Sequence, residues 1–222
     1  LIILAWACAG PTNPVDHASR PNILFAIADD ASYPFMGAYG CPWVHTPAFD
    51  RVAHEGLLFE RAYTPNAKCA PSRACILTGR NSWQLEEAAN HVAYFPAKFR
   101  TSLETLRDHG YHTGYTAKGW APGDPGMSGG EKRELTGRNY SEIRTTPPTS
   151  GITSIDYAAN FRAFLKDRES GQPFCFWYGS YEPHRGYEYV SGSRLGTTKP
   201  AEVDRVFDFL ADEAPLRQHM PD

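Results

Sequence analysis

Cysteine is scarce in this chain: five residues among 222, at Cys8, Cys41, Cys69, Cys75 and Cys175. The count is odd and no pair has Cys-x-x-Cys spacing, so the pattern supplies neither a disulfide framework nor a Cys-x-x-Cys metal site. Excess charge of one sign is also missing. Lys and Arg number 22 against 25 Asp and Glu, a net charge of −3, which leaves no electrostatic footprint for nucleic acid. Long apolar runs are lacking too. Leu1 to Ala7 is too short to span a bilayer. It has the character of the h-region of a secretory signal, with the small residues from Ala7 to Gly10 as a cleavage zone. That predicts export to a periplasmic or extracellular location. Cys8 offers a lipid-attachment point in a poor lipobox, and a frayed terminus is the plain alternative. Residues 1–20 are thus expected to be a signal-peptide remnant and a linker.

What is present is a globular composition, 41% hydrophobic, long enough for a sizeable core. The apolar run Ile23 to Ala28 reads as a strand buried on both faces, ending at Asp29-Asp30. Thr46-Pro47 opens a helix stopped by Gly56, and Leu57 to Tyr63 reads as a strand or extended connection. Pro71-Ser72-Arg73 starts a short helix ending near Gly79. Ser102 to His109 is a helix, Tyr111 to Thr116 a strand, and Lys118 lies just beyond it. Trp120 to Pro148 is a long irregular excursion, of a length that favours a functional role. Ile155 to Lys166 is an amphipathic helix, Phe174 to Tyr178 a second buried strand, and Val203 to Leu210 a further helical stretch. Cys75 and Cys175 sit in apolar surroundings and are expected to be buried.

Alternating strands and helices predict an α/β fold with a mostly parallel central sheet flanked by helices. Ligands bind such sheets beyond the carboxyl ends of the strands. Asp29, Asp30, Lys118 and His184 all follow predicted strands, so the topology brings them to one edge. Two adjacent carboxylates repel unless a cation lies between them, and a hard divalent ion with oxygen ligands answers that need. A bare Asp-Asp pair is more often a solvated turn. Only its position at a strand end taken together with the cysteine motif further along the chain favours the metal. Cys69 precedes a helix start, where free backbone N–H groups and a partial positive charge suit an anion. Arg73 lies one turn further and can hold an anionic oxygen.

Cys69-Ala70-Pro71-Ser72-Arg73, closed by Thr78-Gly79-Arg80, resembles the signature of the sulfatase family in the alkaline phosphatase superfamily. Similar segments follow in order: Pro21 to Asp30, His45 to Asp50, Gly110 to Trp120, and Glu182 to Arg185. The resemblance implies that residues 21–222 are the N-terminal portion of a sulfatase catalytic domain of alkaline phosphatase-like fold, incomplete at the C-terminus. It implies that a maturation enzyme, reading Pro71 and Arg73, converts Cys69 to formylglycine. It further implies Ca2+, or Mg2+, as the metal, with Asp29, Asp30 and the modified Cys69 as ligands. Arg73 and Lys118 would stabilise charge on the sulfate, and His184 would protonate the leaving group.

The hydrated aldehyde would attack sulfur, and its second hydroxyl would later expel sulfate. The implied reaction is hydrolysis of a sulfuric ester or sulfamate on a sulfated carbohydrate such as a glycosaminoglycan. Glu182 to Glu188 looks like the heparan N-sulfatase subgroup, which acts on N-sulfoglucosamine. Arg185 is then a substrate-binding residue, with a structural ion pair as the even alternative. Two departures stand out. Trp120 occupies a position where the family often has histidine. The second pair of metal ligands does not occur between His184 and Asp222, so the sequence reads as a fragment that is inactive alone. A phosphonate or phosphodiester hydrolase of the same superfamily is the competing enzyme. A non-catalytic binding fragment is the competing reading of another class.

Overall fold

The computed structural model describes residues 20–148, 150–184 and 194. Four helices are present among them: α1 (Pro47–Glu55), α2 (Cys69–Thr78), α3 (Ser102–Asp108) and α4 (Tyr157–Asp167). The strands are β1 (Ile23–Asp29), β2 (Ala93–Tyr94), β3 (His112–Ala117), β4 (Gly123–Asp124), β5 (Met127–Ser128), β6 (Glu131–Lys132), β7 (Arg138–Asn139) and β8 (Phe174–Pro183). A four-stranded sheet in the order β1-β8-β3-β7 forms the centre, and its pairings are parallel. The expected α/β architecture is therefore observed.

Local chemistry explains the helix limits. Thr101 and Glu104 form a reciprocal capping box at the start of α3, Thr101 Oγ1 accepting the Glu104 N–H and Glu104 Oε2 accepting the Thr101 N–H at 2.8 Å. Asp156 caps α4 by accepting the Ala159 N–H at 2.8 Å. Gly79 ends α2 in the left-handed region, φ +66°, and returns its N–H to Cys75 O. Pro47 stands in the first turn of α1, as expected. Thr46 Oγ1, however, does not cap that helix: it accepts the Gly37 N–H and donates to Asp50.

Apolar clusters lie on both faces of the sheet. On one face, α2 and α3 supply Ala70, Ala74, Cys75, Leu77 and Leu103 to a cluster with Phe95, Trp120, Cys175 and Trp177. On the other, Phe164 of α4 packs with Tyr140 and Phe176. Gly114 in β3 permits that approach, since a Cβ there would stand 2.8 Å from the Phe164 ring. Burying side chains such as Phe164 and Phe176 contributes about 1.5–3 kcal/mol each. Cys75 and Cys175 are buried as expected.

Three expectations need correction, and for Leu57 to Tyr63 the structure takes the connection of the two alternatives. β1 is not buried on both faces: its residues alternate half-buried and exposed, and Leu24 is 56% exposed. The reason is position. β1 is the edge of the described sheet; Ile23, Phe25 and Ile27 turn to the α2 side, while among the described residues no apolar cluster covers Leu24 on the other face. Leu57 to Tyr63 forms no strand and is exposed. α2 begins at Cys69 rather than Pro71. The excursion after Trp120 is not wholly irregular: it holds β4 to β7, and β7 joins the central sheet. Arg133 pins that excursion to α3 through two bonds to Glu104, at 2.6 and 2.7 Å. Residues 1–19, including Cys8, and Val203 to Leu210 lie outside the described residues.

Candidate functional site

Asp29 is the last residue of β1 and is buried. Its carboxylate receives Arg73 Nη2 at 3.0 Å on one oxygen and the Lys118 ammonium on the other. Burial alone would raise the Asp29 pKa. Hydrogen bonds and charge from Lys118 and Arg73 outweigh that and hold it below its ordinary value. Asp30 is exposed and takes a left-handed conformation, φ +64°, which aspartate tolerates better than most residues. The turn separates the two carboxylates, one facing inward and one at the surface.

Arg73 is the hub. It is 2% exposed, and besides Asp29 it donates through Nη1 to the carbonyls of Lys118 (2.6 Å) and Gly119 (3.1 Å). Residues four apart share a helix face, so Cys69 and Arg73 stand one above the other on α2. Cys69 is the first residue of that helix, a half-buried free thiol. Among the described residues no side chain caps the α2 N-terminus, and Pro71 has no N–H to offer. The positive end of the helix is therefore left for an anion.

Lys118 follows β3 through Ala117, whose φ of +58° is uncommon for a non-glycine residue. Its backbone is locked against β8: the Lys118 N–H donates to Gly179 O at 2.8 Å, and Trp177 Nε1 donates to Lys118 O at 3.1 Å. Only glycine fits at 179, because a Cβ there would lie 2.0 Å from Lys118 O. The β1–β8 pairing ends with Asp29 opposite Pro183, and the His184 N–H donates to Asp29 O at 3.0 Å. His184 is thereby held at the same edge as Asp29, on the surface.

Direct contacts thus unite Asp29, Arg73 and Lys118, a backbone bond adds His184, and α2 brings Cys69 alongside. Arg185 lies outside the described residues. Asp29 and Asp30 supply oxygen donors of the kind a hard cation takes, which fits in type but falls short of a full shell of six to eight. Among the described residues no group of three or more His, Cys, Asp and Glu side chains is gathered to hold a metal.

Trp120 takes a role that sequence reasoning missed. Its indole N–H donates to Ala70 O at 3.0 Å, and its ring packs edge-on to Phe95. It anchors the start of α2 instead of offering a proton. Gly179 and Trp177 were missed as well. A glycine inside a strand pattern is the signal that could have found the first, because it marks a close backbone approach.

The sulfatase family model matches residues 21–201. An N-acetylglucosamine-6-O-sulfatase of Bacteroides thetaiotaomicron is 30% identical over 191 residues, covering 82% of this chain and 33% of the relative. A human N-acetylgalactosamine-6-sulfatase is 30% identical over 222 residues, covering 81% of this chain and 42% of its own length. A solved structure described as a complex with its substrate D-glucosamine-2-N,6-O-disulfate superposes with a TM-score of 0.60 and 26% identity, covering 76% of this chain and 36% of that one. A phosphonate monoester hydrolase of Agrobacterium radiobacter has a TM-score of 0.53 at 20% identity, covering 82% of this chain and 44% of that one, a likeness of fold alone. The chain spans about a third to two fifths of the length of the curated relatives quoted.

Proposed function

The chain belongs to the sulfatase family, and from that membership we propose that it forms the nucleophile-bearing part of an enzyme that hydrolyses sulfate from a sulfated amino sugar. The observation that carries this reading is the meeting of Asp29, Arg73 and Lys118, from three distant elements, beside the open N-terminus of α2. Such a site concentrates positive charge where an anion would lie and keeps a carboxylate beside it.

In this reading Cys69 is converted to formylglycine by a maturation enzyme, and the hydrated aldehyde supplies the attacking oxygen. Asp29 and Asp30 would contribute oxygen ligands to a divalent cation, Ca2+ by family habit, and such an ion would supply Lewis-acid chemistry to an oxygen nucleophile and to the sulfate. Arg73 orients the modified side chain from one turn away, held in place by its own bonds to Asp29 and to the Lys118 carbonyl. Lys118 stabilises charge on the sulfate oxygens. His184 donates a proton to the leaving group. The remaining ligands and the pocket walls would come from outside the described residues, and the activity proposed is that of the whole enzyme. Export, suggested by Leu1 to Gly10, belongs to the same proposal. Among the described residues no helix is long and apolar enough to cross a membrane.

The quoted relatives are named as 6-sulfatases, whereas Glu182 to Glu188 resembles the N-sulfatase subgroup. Sulfate on an amino sugar is the class common to both. The test has two arms. Mass spectrometry of the Cys69 peptide, after co-expression with a formylglycine-generating enzyme, should show a loss of about 18 Da and reaction with an aldehyde tag. Sulfate release by the matured full-length enzyme should then be compared on N-sulfated and 6-O-sulfated glucosamine. An unmodified thiol in a competent host, or a diesterase rate above the sulfatase rate, overturns the proposal.

A further inference from the structure

The last turn of β8 is held by a cluster that the proposed chemistry leaves unused. Glu182 has both carboxylate oxygens engaged. Tyr157, the first residue of α4, donates its hydroxyl to Oε2 at 2.5 Å, and the Thr153 N–H donates to Oε1 at 2.9 Å. The same Tyr157 hydroxyl accepts the Tyr181 N–H at 3.0 Å. Ser180 Oγ closes the strand end by donating to Glu182 O at 2.9 Å. The Tyr157 ring stands edge-on to Tyr178, with centroids 5.1 Å apart. Each bond grips the strand within four residues of His184. The next backbone bond along is His184 N–H to Asp29 O.

We propose that Tyr157 and Glu182 act as one positioning clamp for His184. This rests on the reading of His184 as the proton donor to the leaving group. The physical argument is one of direction. The β1–β8 register shifts between Ile27 and Asp29, so past the shift residues 183 and 184 are held to β1 by the Asp29–Pro183 pair and one backbone bond, and a second restraint is needed to fix them closely. The clamp supplies that restraint from the opposite face, through α4 and the loop that precedes it. α4 is itself fixed by its Asp156 cap and by Phe164 in the core. A side chain that must deliver a proton needs its backbone fixed to a fraction of an ångström, since a misplacement of about 1 Å costs on the order of 10²-fold in rate. Burial, and next the hydrogen bond to Glu182, push the Tyr157 phenol far above its ordinary value, so it remains a donor at any working pH.

The test uses the matured full-length enzyme and a series of sulfate esters whose leaving groups run from good (4-nitrophenol) to poor (a sugar or simple alcohol). A proton donor matters little for the first and greatly for the second. His184→Ala should therefore lose activity on poor leaving groups and be nearly silent on 4-nitrophenyl sulfate. The clamp predicts the same signature for Tyr157→Phe and Glu182→Gln: a fall in kcat of roughly 10- to 100-fold on poor leaving groups and under about 3-fold on the good one. The double variant should be little worse than either single one, because the two side chains act as a unit. Tyr157→Phe keeps the ring against Tyr178, and a melting curve of each variant reports its folding. If His184→Ala shows the signature and the clamp variants do not, or if they lose activity equally on every ester, the clamp is overturned while the role of His184 stands. If His184→Ala shows no dependence on the leaving group, the reading of His184 fails, and the clamp with it.

Discussion

Among the described residues two buried carboxylates are each paired with a buried arginine, yet they have different settings. Glu104 meets Arg133 inside the core. It also closes the α3 capping box, while Arg133 donates onward to Phe99 O. The strong partners of that pair are all groups of the chain, and the excursion after Trp120 seals it. Asp29 meets Arg73 at the carboxyl edge of the sheet, where Asp30 is exposed and the second cation is Lys118. The first arrangement is complete as it stands. The second has a cation and a carboxylate at a surface edge, beside an uncapped helix terminus. A buried ion pair is thus not by itself a sign of function; its place relative to the strand ends and to solvent is what separates the two.

Lys118→Ala tests the contrast most strongly. In the matured full-length enzyme it should lower kcat/KM by about 10³-fold, or ~4 kcal/mol of transition-state stabilisation, with a smaller change in melting temperature. A loss below 10-fold would move Lys118 out of the charge-stabilising role. Arg133→Met should do the reverse. It leaves Glu104 buried without its cation and should destabilise the fold by about 3–5 kcal/mol in denaturant titration, with kcat per folded molecule little changed. Gly179→Ala falls between them. Its Cβ would strike the Lys118 carbonyl at 2.0 Å, and a cost of about 1–3 kcal/mol is expected. Activity should fall by a further 10-fold or so, because the displaced backbone carries Lys118 with it.

The mildest test near neutral pH is acidification. Both carboxylates have pKa values lowered from their ordinary 3.8 (Asp29) and 4.5 (Glu104). A depressed carboxylate contributes stability above its unfolded pKa, and that contribution is lost as pH falls through the folded value. Melting temperature should therefore hold at mildly acidic pH and drop below about pH 4.5. Glu104→Gln should flatten the part of that slope due to Glu104 and leave the Asp29 part, which a pH series of melts on both proteins would separate.

Much of the site was readable from residue order. A strand ending in two aspartates, a lysine after the next long strand and a histidine after the last predict one shared edge by topology alone, and the structure joins Asp29, Lys118 and His184 there. The identity of the edge strand was not readable. Ile23 to Ala28 has the apolar run of a central strand, but β8, the last in sequence, inserts between β1 and β3. Hydrophobicity reports what a segment tolerates, while strand order depends on crossover connections. Trp120 shows the same limit. Its type suggested a missing helper residue, and only its contact with Ala70 revealed an anchor.

The sequence by itself determined the fold class, the presence of a short helix through Pro71 to Arg73 and the family, because these follow from periodicity, a glycine stop and a motif confined to a dozen residues. Tertiary structure decided which charges meet. Arg73 could have been a surface residue. It became the hub because Gly179 lets the Lys118 backbone approach β8, and the parallel register sets Asp29 within its reach. Contacts across 44 to 89 residues depend on packing, which local sequence patterns do not encode.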